Sequence, residues 1–507
     1  MINYLKKLYN PWTQNIFYFL ILVFLFFYLG LDNVFFMGPK GIHFMRQTDS
    51  LSFASNYFNF DFNFFKPQLY NLKNIEGKAI CEFPITYYLT ALLYQIFGKQ
   101  FFIQRLLHLL IAYFGAFCFF KLAHSVLKDY TYALIIGTII FTSTVFNYYS
   151  FNYLPDMPAL GLCLAGGFFI YKHQKLQTNK ALLIGYILLT IGSLIKVTYT
   201  IYPIGIVGLS LVSILFFKRA PLVQNQKKVI LYGLVSVAIV ATWNLYIIYY
   251  NSIYDSHSFN TKALPIWNIN HEKILYVWDI CTNYWYRQYL PKTIFRFIYA
   301  AFFFQLIFIK KGNLNLLILL GILFIGNLSY FILFYSQFID HDYYFLVFFP
   351  LILLLLISAF KTLQNISQNV FLHTIVKAVF IIVIISGINF SKPRVYKRFS
   401  AKIDKYSQAG LIIQQNQNEI NNLKLDFGSK FIIAPDYCQN GGLFFLDKKG
   451  WNLTPDQISV KNINELKDKG ANYLLLISED PEVIAKGDST GTNIFKGKEL
   501  SIFELNP

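Results

Sequence analysis

The sequence predicts a polytopic α-helical membrane protein of roughly eleven transmembrane helices followed by a small C-terminal α/β domain, and three observations predict it. Hydrophobic residues make up 55% of the 507 residues and only 14% are charged, where a soluble domain carries about a quarter. Apolar runs of about 20 residues, each able to cross a hydrocarbon core of ~30 Å, recur along roughly the first three quarters of the chain. From residue 391 the composition turns polar, and strand-like runs alternate with helix-prone ones.

The formal charge of +18 does not point to nucleic acid. Much of the Lys and Arg sits in short connectors between apolar runs, which is how cytoplasmic loops of membrane proteins are marked. The first run, 16–31, follows Lys6 and Lys7. No small-residue cleavage site follows it, so it is read as an uncleaved first span. The next six spans are predicted at 101–122, 130–149, 158–171, 181–194, 199–217 and 229–250, and the last four at 293–309, 315–335, 343–360 and 371–390. The chain divides accordingly into a membrane domain, 1–390, and a soluble extracytoplasmic domain, 391–507. A first outer loop, 32–100, carries amphipathic stretches at 49–58 and 84–98 that read as interfacial helices. The loop 251–292 carries Trp267, Trp278 and Trp285 and also reads as interfacial.

Connector charges orient the chain. Lys121 and Lys128 follow span two, Lys172, Lys175 and Lys180 span four, and Lys218, Arg219, Lys227 and Lys228 span six. Lys310 and Lys311 follow span eight and Lys361 span ten, so even-numbered exits are cytoplasmic. Odd-numbered exits and the C-terminal domain then face the periplasm or exterior, as in a protein of the bacterial inner membrane. Lys392, Arg394, Lys397 and Arg398 run against this rule at the outer end of span eleven. Cys118 and Cys163 fall inside spans as packing residues, while Cys81, Cys281 and Cys438 are outer; with an odd number there, a bridge between two of them stays open.

In the terminal segment, strands are predicted at 431–434, 442–446 and 473–477, with a helix at 462–469.

The outer exits hold acids, histidine, aromatics and prolines rather than bare cations. Span one leads to Arg46-Gln47-Thr48-Asp49, and span three to Pro155-Asp156-Met157-Pro158. Span five ends at Lys196 and span nine at Asp340-His341-Asp342-Tyr343-Tyr344. Any one of these charges is explained as a solvated span end. Their common side is what points to a reaction site. Pro155 opens the helical backbone beside Asp156. Lys196 interrupts an apolar stretch, and Arg105 and His108 share one face of span two.

Arg46-Gln47-Thr48-Asp49, then Glu82-Phe83-Pro84, Phe97-Gly98 and Arg105-Leu106, resemble the first outer loop and second span of glycosyltransferase family 39-like membrane enzymes. These have the GT-C fold and include the protein O-mannosyltransferases and the aminoarabinose-to-lipid-A transferases. Pro155-Asp156-Met157-Pro158 resembles their second outer acidic motif, and His341-Asp342-Tyr343-Tyr344 with Pro350 a late-span motif of bacterial members. The segment from Leu443 to Trp451 is similar to their extracytoplasmic domain, so the resemblance covers almost the whole chain.

The resemblance implies transfer of a sugar from a polyprenyl-phosphate carrier to an extracytoplasmic lipid, glycan or protein, with inversion. It makes Asp49 the general base toward the acceptor hydroxyl and Asp156 its orienting partner. Lys196, then Arg105 and His341, become the candidates for the donor phosphate. Glu82 matches a carboxylate that holds a divalent metal ion in some relatives, with His271 or His257 as the second ligand. Phe83 stands where aminoarabinose transferases have Lys, and Ser50 follows Asp49 where O-mannosyltransferases have an Asp-Glu pair, so the acceptor is not read from the motifs. The alternative class is a transporter or lipid-linked sugar flippase, which calls for midplane sites on broken helices and repeated halves.

Overall fold

The computed structural model describes residues 10–219, 221–259, 263–400 and 403–505. The chain divides into two units, one from Met1–Phe35, Arg105–Asn244 and Lys262–Lys397, the other from Phe36–Gln104, Leu245–Thr261 and Arg398–Pro507.

The first unit is helical. Among the described residues, seven helices are long and apolar enough to cross a membrane: Pro11–Tyr28, Phe101–Leu127, Val197–Phe216, Gln226–Ile253, Leu314–Leu333, Asp342–Ile366 and Thr374–Phe399. Two further pairs are bent at a break, Tyr130–Thr142 with Thr144–Ser150 by 81° and His271–Tyr289 with Lys292–Ile307 by 100°, and raise the number to nine if each is one span. The other two predicted spans are also helices, Asp156–Leu176 and Asn179–Ile195. The first carries Lys172, His173 and Lys175 in its last turns and the second has 17 residues. Length and composition therefore support seven to nine crossings among the described residues, below the predicted eleven. The chain is a multi-pass membrane protein.

Helix packing in this unit depends on missing side chains. A Cβ on Gly115 would lie 2.4 Å from the carbonyl oxygen of Gly161, and one on Gly161 2.4 Å from that of Ile111. The backbones of Phe101–Leu127 and Asp156–Leu176 thus touch, the small-residue contact by which membrane helices gain packing energy. Gly161→Val is expected to lower the thermal midpoint of the detergent-solubilised protein, with an overpacking penalty of about 1–3 kcal/mol. A variant that melts like the wild type would mean that these helices are free to separate.

The second unit joins the first outer loop to the C-terminal segment. Its helix Phe44–Asn59 starts before the predicted 49–58 and has twelve of 16 residues buried. It is therefore a core helix, packed through Phe53, Ala54 and Tyr57 on Tyr87, Ala91 and Tyr94 of Ile85–Phe97. The amphipathic pattern was legible; its apolar face is covered by protein. Ile85–Phe97 in turn exposes apolar side chains at Leu89, Ile96 and Phe97.

The sheet has five strands, β1 (Phe431–Ala434), β2 (Gly450–Asn452), β3 (Tyr473–Leu476), β4 (Thr492–Lys496) and β5 (Ser501–Glu504), in the order β2-β1-β3-β5-β4. β1 pairs β2 and β3 in parallel, while β5 pairs β3 and β4 antiparallel. Ile432, Leu474, Leu476 and Phe503 pack with Ile463 of the helix Val460–Asp468 on one face. The predicted strand at 442–446 is instead a helix, Gly441–Leu446. All six of its residues are buried, so the run has no alternation to separate strand from helix. The predicted boundary at 390/391 also moves. Lys392, Arg394, Lys397 and Arg398 lie in the continuous helix Thr374–Phe399, with Pro393 inside it. Lys392 sits 4.1 Å from the ring centre of Tyr28. All five cysteines are free thiols.

Candidate active site

In the second unit, chemistry gathers on one face of Phe44–Asn59. Arg46 and Asp49 are three residues apart and so point the same way, with Arg46 Nη1 3.7 Å from Asp49 Oδ2. Arg46 Nη2 also forks onto both oxygens of Glu82, at 3.1 and 3.2 Å. Its guanidinium lies 5.3 Å from the centre of the Phe259 ring. Tyr87 donates its hydroxyl to Glu82 as well.

The other oxygen of Asp49 is held from the far end of the chain, where the Asn440 side-chain amide donates to Oδ1 at 2.8 Å. Thr48 Oγ1 lies 3.5 Å from Cys438 Sγ beside it. One cation thus serves two carboxylates in a largely dehydrated place. Burial raises the Asp49 carboxyl from its ordinary 3.8 to about 6, with Glu82 adding to the rise and Arg46 and Asn440 opposing it. A carboxylate with that affinity for protons, still 12% exposed at its side chain, is suited to general-base work near neutral pH.

In the first unit, Asp156–Leu176 and Asn179–Ile195 form an antiparallel hairpin. Close approach of Gly166 to Gly185 and of Gly192 to Ala159 holds the two helices together. That hairpin sets the start of the first helix beside the end of the second. Asp156 stands in the first turn after Pro155, where the helix dipole favours a carboxylate. Lys196 is the extended residue at which the second helix stops (φ −142°, ψ 106°). The two meet with Nζ 3.4 Å from Oδ1. The Lys196 ammonium lies 5.6 and 6.0 Å from the ring centres of Tyr343 and Tyr344. His341 packs on the same two rings, at 5.2 and 5.0 Å between centroids. The Tyr149 hydroxyl donates to buried Asp342 at 2.7 Å.

Of the predicted residues, Asp156, Lys196 and His341 thus gather in one unit, and Asp49 stands beside Arg46 and Asn440 in the other. Arg105 is fully buried, donates to the carbonyl of Val34 and covers the Tyr153 ring at 4.5 Å. His108 likewise meets the Asn152 carbonyl at 3.1 Å. Both side chains engage the segment ahead of Asp156.

Glu82 was expected to hold a metal ion with His271, or with His257. Its oxygens meet Arg46 and Tyr87; His271 is exposed at the start of its own helix, and His257 pairs with Asp255 at the surface. Among the described residues, no group of three or more His, Cys, Asp or Glu gathers in a way that holds a metal ion.

Sequence reasoning missed two participants. Arg46 was quoted within a motif without a role, although its three-residue spacing from Asp49 was a usable signal. Asn440 carried no signal, since its contact spans 391 positions of sequence.

Residues 82–246 match the family described as dolichyl-phosphate-mannose-protein mannosyltransferase. No curated protein matches the sequence. Among solved structures, ArnT from Cupriavidus metallidurans bound to undecaprenyl phosphate superposes with a TM-score of 0.61 at 11% identity, over 96% of this chain and 97% of that one. The same protein in the apo state gives 0.59 at 12% identity, over 95% and 97%. The archaeal oligosaccharyltransferase AglB from Archaeoglobus fulgidus, in complex with an inhibitory peptide and a dolichol-phosphate, gives 0.51 at 11% identity, over 99% and 74%. At these identities the likeness is one of fold.

Proposed function

We propose that this chain, which shares its fold with ArnT, is a GT-C glycosyltransferase that moves a sugar from a polyprenyl-phosphate carrier to a hydroxyl outside the cytoplasm, inverting the anomeric carbon. The observation that carries this reading is Asp49, a carboxylate gripped by Asn440 and Arg46 whose burial raises its proton affinity to about 6. The acceptor O–H gives its proton to Asp49 while its oxygen attacks the anomeric carbon. The bond from that carbon to the phosphate oxygen breaks, and its electron pair leaves with the phosphate.

The growing negative charge on the leaving phosphate calls for a fixed cation. Lys196 supplies it, with Asp156 and the faces of Tyr343 and Tyr344 setting where the ammonium sits. His341, packed on the same rings, is a second donor toward the phosphate. The carrier class is supported by the undecaprenyl phosphate and dolichol-phosphate bound in the two relatives. Short Lys- and Arg-rich connectors between the membrane helices support a placement of the transfer on the outer side of a bacterial cytoplasmic membrane.

The base must be ionised to act, so kcat/KM is expected to fall tenfold per pH unit below about 6 and to level off above 7. The assay follows radiolabelled sugar from purified polyprenyl-phosphate donors to envelope lipids and glycans, while mass spectrometry of envelopes with and without the protein identifies the modified acceptor. Unaltered envelope glycans and lipids, together with donors left intact by the purified protein, would remove the transferase reading.

A further inference from the structure

We propose that the C-terminal segment is part of the catalytic machinery, with Asn440 as the positioning residue that aims the Asp49 carboxylate and favours its ionised form. The inference rests on the reading of Asp49 as the general base and adds a residue from the opposite end of the chain.

The case begins with how firmly Asn440 is placed. It is fully buried and precedes Gly441–Leu446, the short helix between β1 and β2. Its Oδ1 accepts the backbone N–H of Asn71 at 3.1 Å, so its amide nitrogen must face the other way, toward Asp49 at 2.8 Å. The amide orientation is therefore set by the network, with one acceptor end and one donor end each matched.

The partner that fixes it is itself fixed. The Asn71 side-chain amide donates to the Gln439 carbonyl at 2.7 Å and to Asn452 Oδ1 at 2.9 Å, and Asn452 donates to the carbonyl of Asp436 at 2.8 Å. Residues 70–72 also extend the sheet along β2, with Leu72 N–H donating to the Gly450 carbonyl at 2.7 Å and Gly450 N–H to that of Tyr70 at 3.1 Å. The turn that carries Asn440 is tied across its base, because the Asp436 carboxylate accepts the N–H groups of Cys438 and Gly442 at 2.8 and 3.0 Å.

Two glycines let the turn come this close. A Cβ on Gly441 would lie 2.9 Å from Cys438 Sγ, and one on Gly442 2.9 Å from Asp436 Oδ2. Nine hydrogen bonds, two of them made by the Asn440 side chain itself, and two close approaches exceed what covering a loop requires. They deliver a neutral donor to one carboxylate oxygen and leave the other, beside Arg46, to face an incoming hydroxyl.

A neutral donor is the right group here. The charged and titratable groups facing Asp49 are Arg46 on its own helix, Glu82 from the stretch before Ile85–Phe97, and Cys438 from the C-terminal segment. Burial holds the Cys438 thiol well above its ordinary range, so it brings no charge at neutral pH. A second cation in place of Asn440 would stabilise the carboxylate so far that it ceased to be a base. An amide steadies it and leaves it able to accept a proton.

The test is the pH profile of sugar transfer by the full chain, with two substitutions at one position. Asn440→Ala removes the donor. Asn440→Asp keeps the shape and the acceptor for Asn71 N–H but sets a second carboxylate against Asp49. The acidic limb is expected to move up by about half to one pH unit in the first, about a two- to fivefold loss at pH 6, and by more than one unit in the second. Both should recover most activity at pH 8 with donor KM unchanged. Limbs that stay at the wild-type position in both variants would overturn the proposal. So would a uniform loss at every pH in the folded Asn440→Asp protein, the mark of a merely structural role. Asn440→Asp decides alone if Asn440→Ala fails to fold, and an Asn440→Asp chain that cannot fold at pH 6, where its added carboxyl is closest to neutral, also counts against it. The underlying reading fails separately: full transfer by Asp49→Asn would remove the base, whatever Asn440 does.

Discussion

Asp49→Asn is expected to lower kcat for sugar transfer by about 10²–10⁴-fold, the range over which general bases contribute, while donor affinity stays within twofold. The substitution keeps the shape and a polar partner for Asn440 and takes away only the capacity to accept a proton. Its effect on stability should have the opposite sign. The Asp49 carboxyl rises from an ordinary 3.8 to about 6, a shift on the order of 3 kcal/mol against the charged form. Because the folded value is the higher one, the neutral acid favours folding at low pH, and that contribution is lost as pH rises through about 6. Asn stays neutral at every pH, so the variant should melt higher than the wild type at pH 8 and much the same at pH 4. An inactive protein that is more stable at alkaline pH is what a buried catalytic carboxylate predicts. Measurement of kcat, donor Kd and thermal midpoints at the two pH values checks all three. Wild-type transfer rates in the variant would exclude the assigned role.

Lys196→Gln should lower kcat/KM by about 10²–10³-fold, the loss seen when one stabiliser of a developing oxyanion is removed. The loss should fall mainly on kcat, because charge on the phosphate grows as the bond to the sugar breaks. It should also depend on the leaving group. A donor carried on a pyrophosphate, whose leaving oxygen holds its charge more easily, should suffer less than a monophosphate carrier. Lys196→Arg keeps the charge but not the point-like ammonium between Tyr343 and Tyr344, so it should recover only part of the rate. Removing the cation also leaves Asp156 without its partner at 3.4 Å, which calls for the Lys196→Gln/Asp156→Asn double variant. If stability alone is at fault, the double variant will recover transfer; if the phosphate needs the cation, it will remain slow. Equal losses for both donor types would contradict the leaving-group assignment.

The membrane helices were legible because hydropathy is a local property: all eleven predicted segments are helical, and what differs is how many of them cross. Asp156 and Lys196 were legible for a related reason. Each interrupts an apolar pattern, and an ionisable residue beside a membrane helix must have a partner or a use. The stretch at 49–58 proved to belong to a core helix because an amphipathic period reports that one face is covered without saying by what. In Phe44–Asn59 the cover is Ile85–Phe97. The strand expected at 442–446 failed because a run buried on every side has no period. Of the short strands, β4 is exposed or half-buried throughout and shows no alternation to find. Asn440 was out of reach on principle. Nothing around it in the sequence distinguishes it from any other turn residue, and its meaning lies in Asp49, which only folding brings to it.

The most direct test of the central claim, a single displacement at the anomeric carbon with Asp49 as base, is the configuration of the product. A polyprenyl-phosphate sugar of one known anomeric form is turned over by the purified protein, and the new glycosidic linkage is read by NMR. One carboxylate acting as base leads to inversion. A product of retained configuration would require two displacements through a sugar bound covalently to the protein, and would contradict the account.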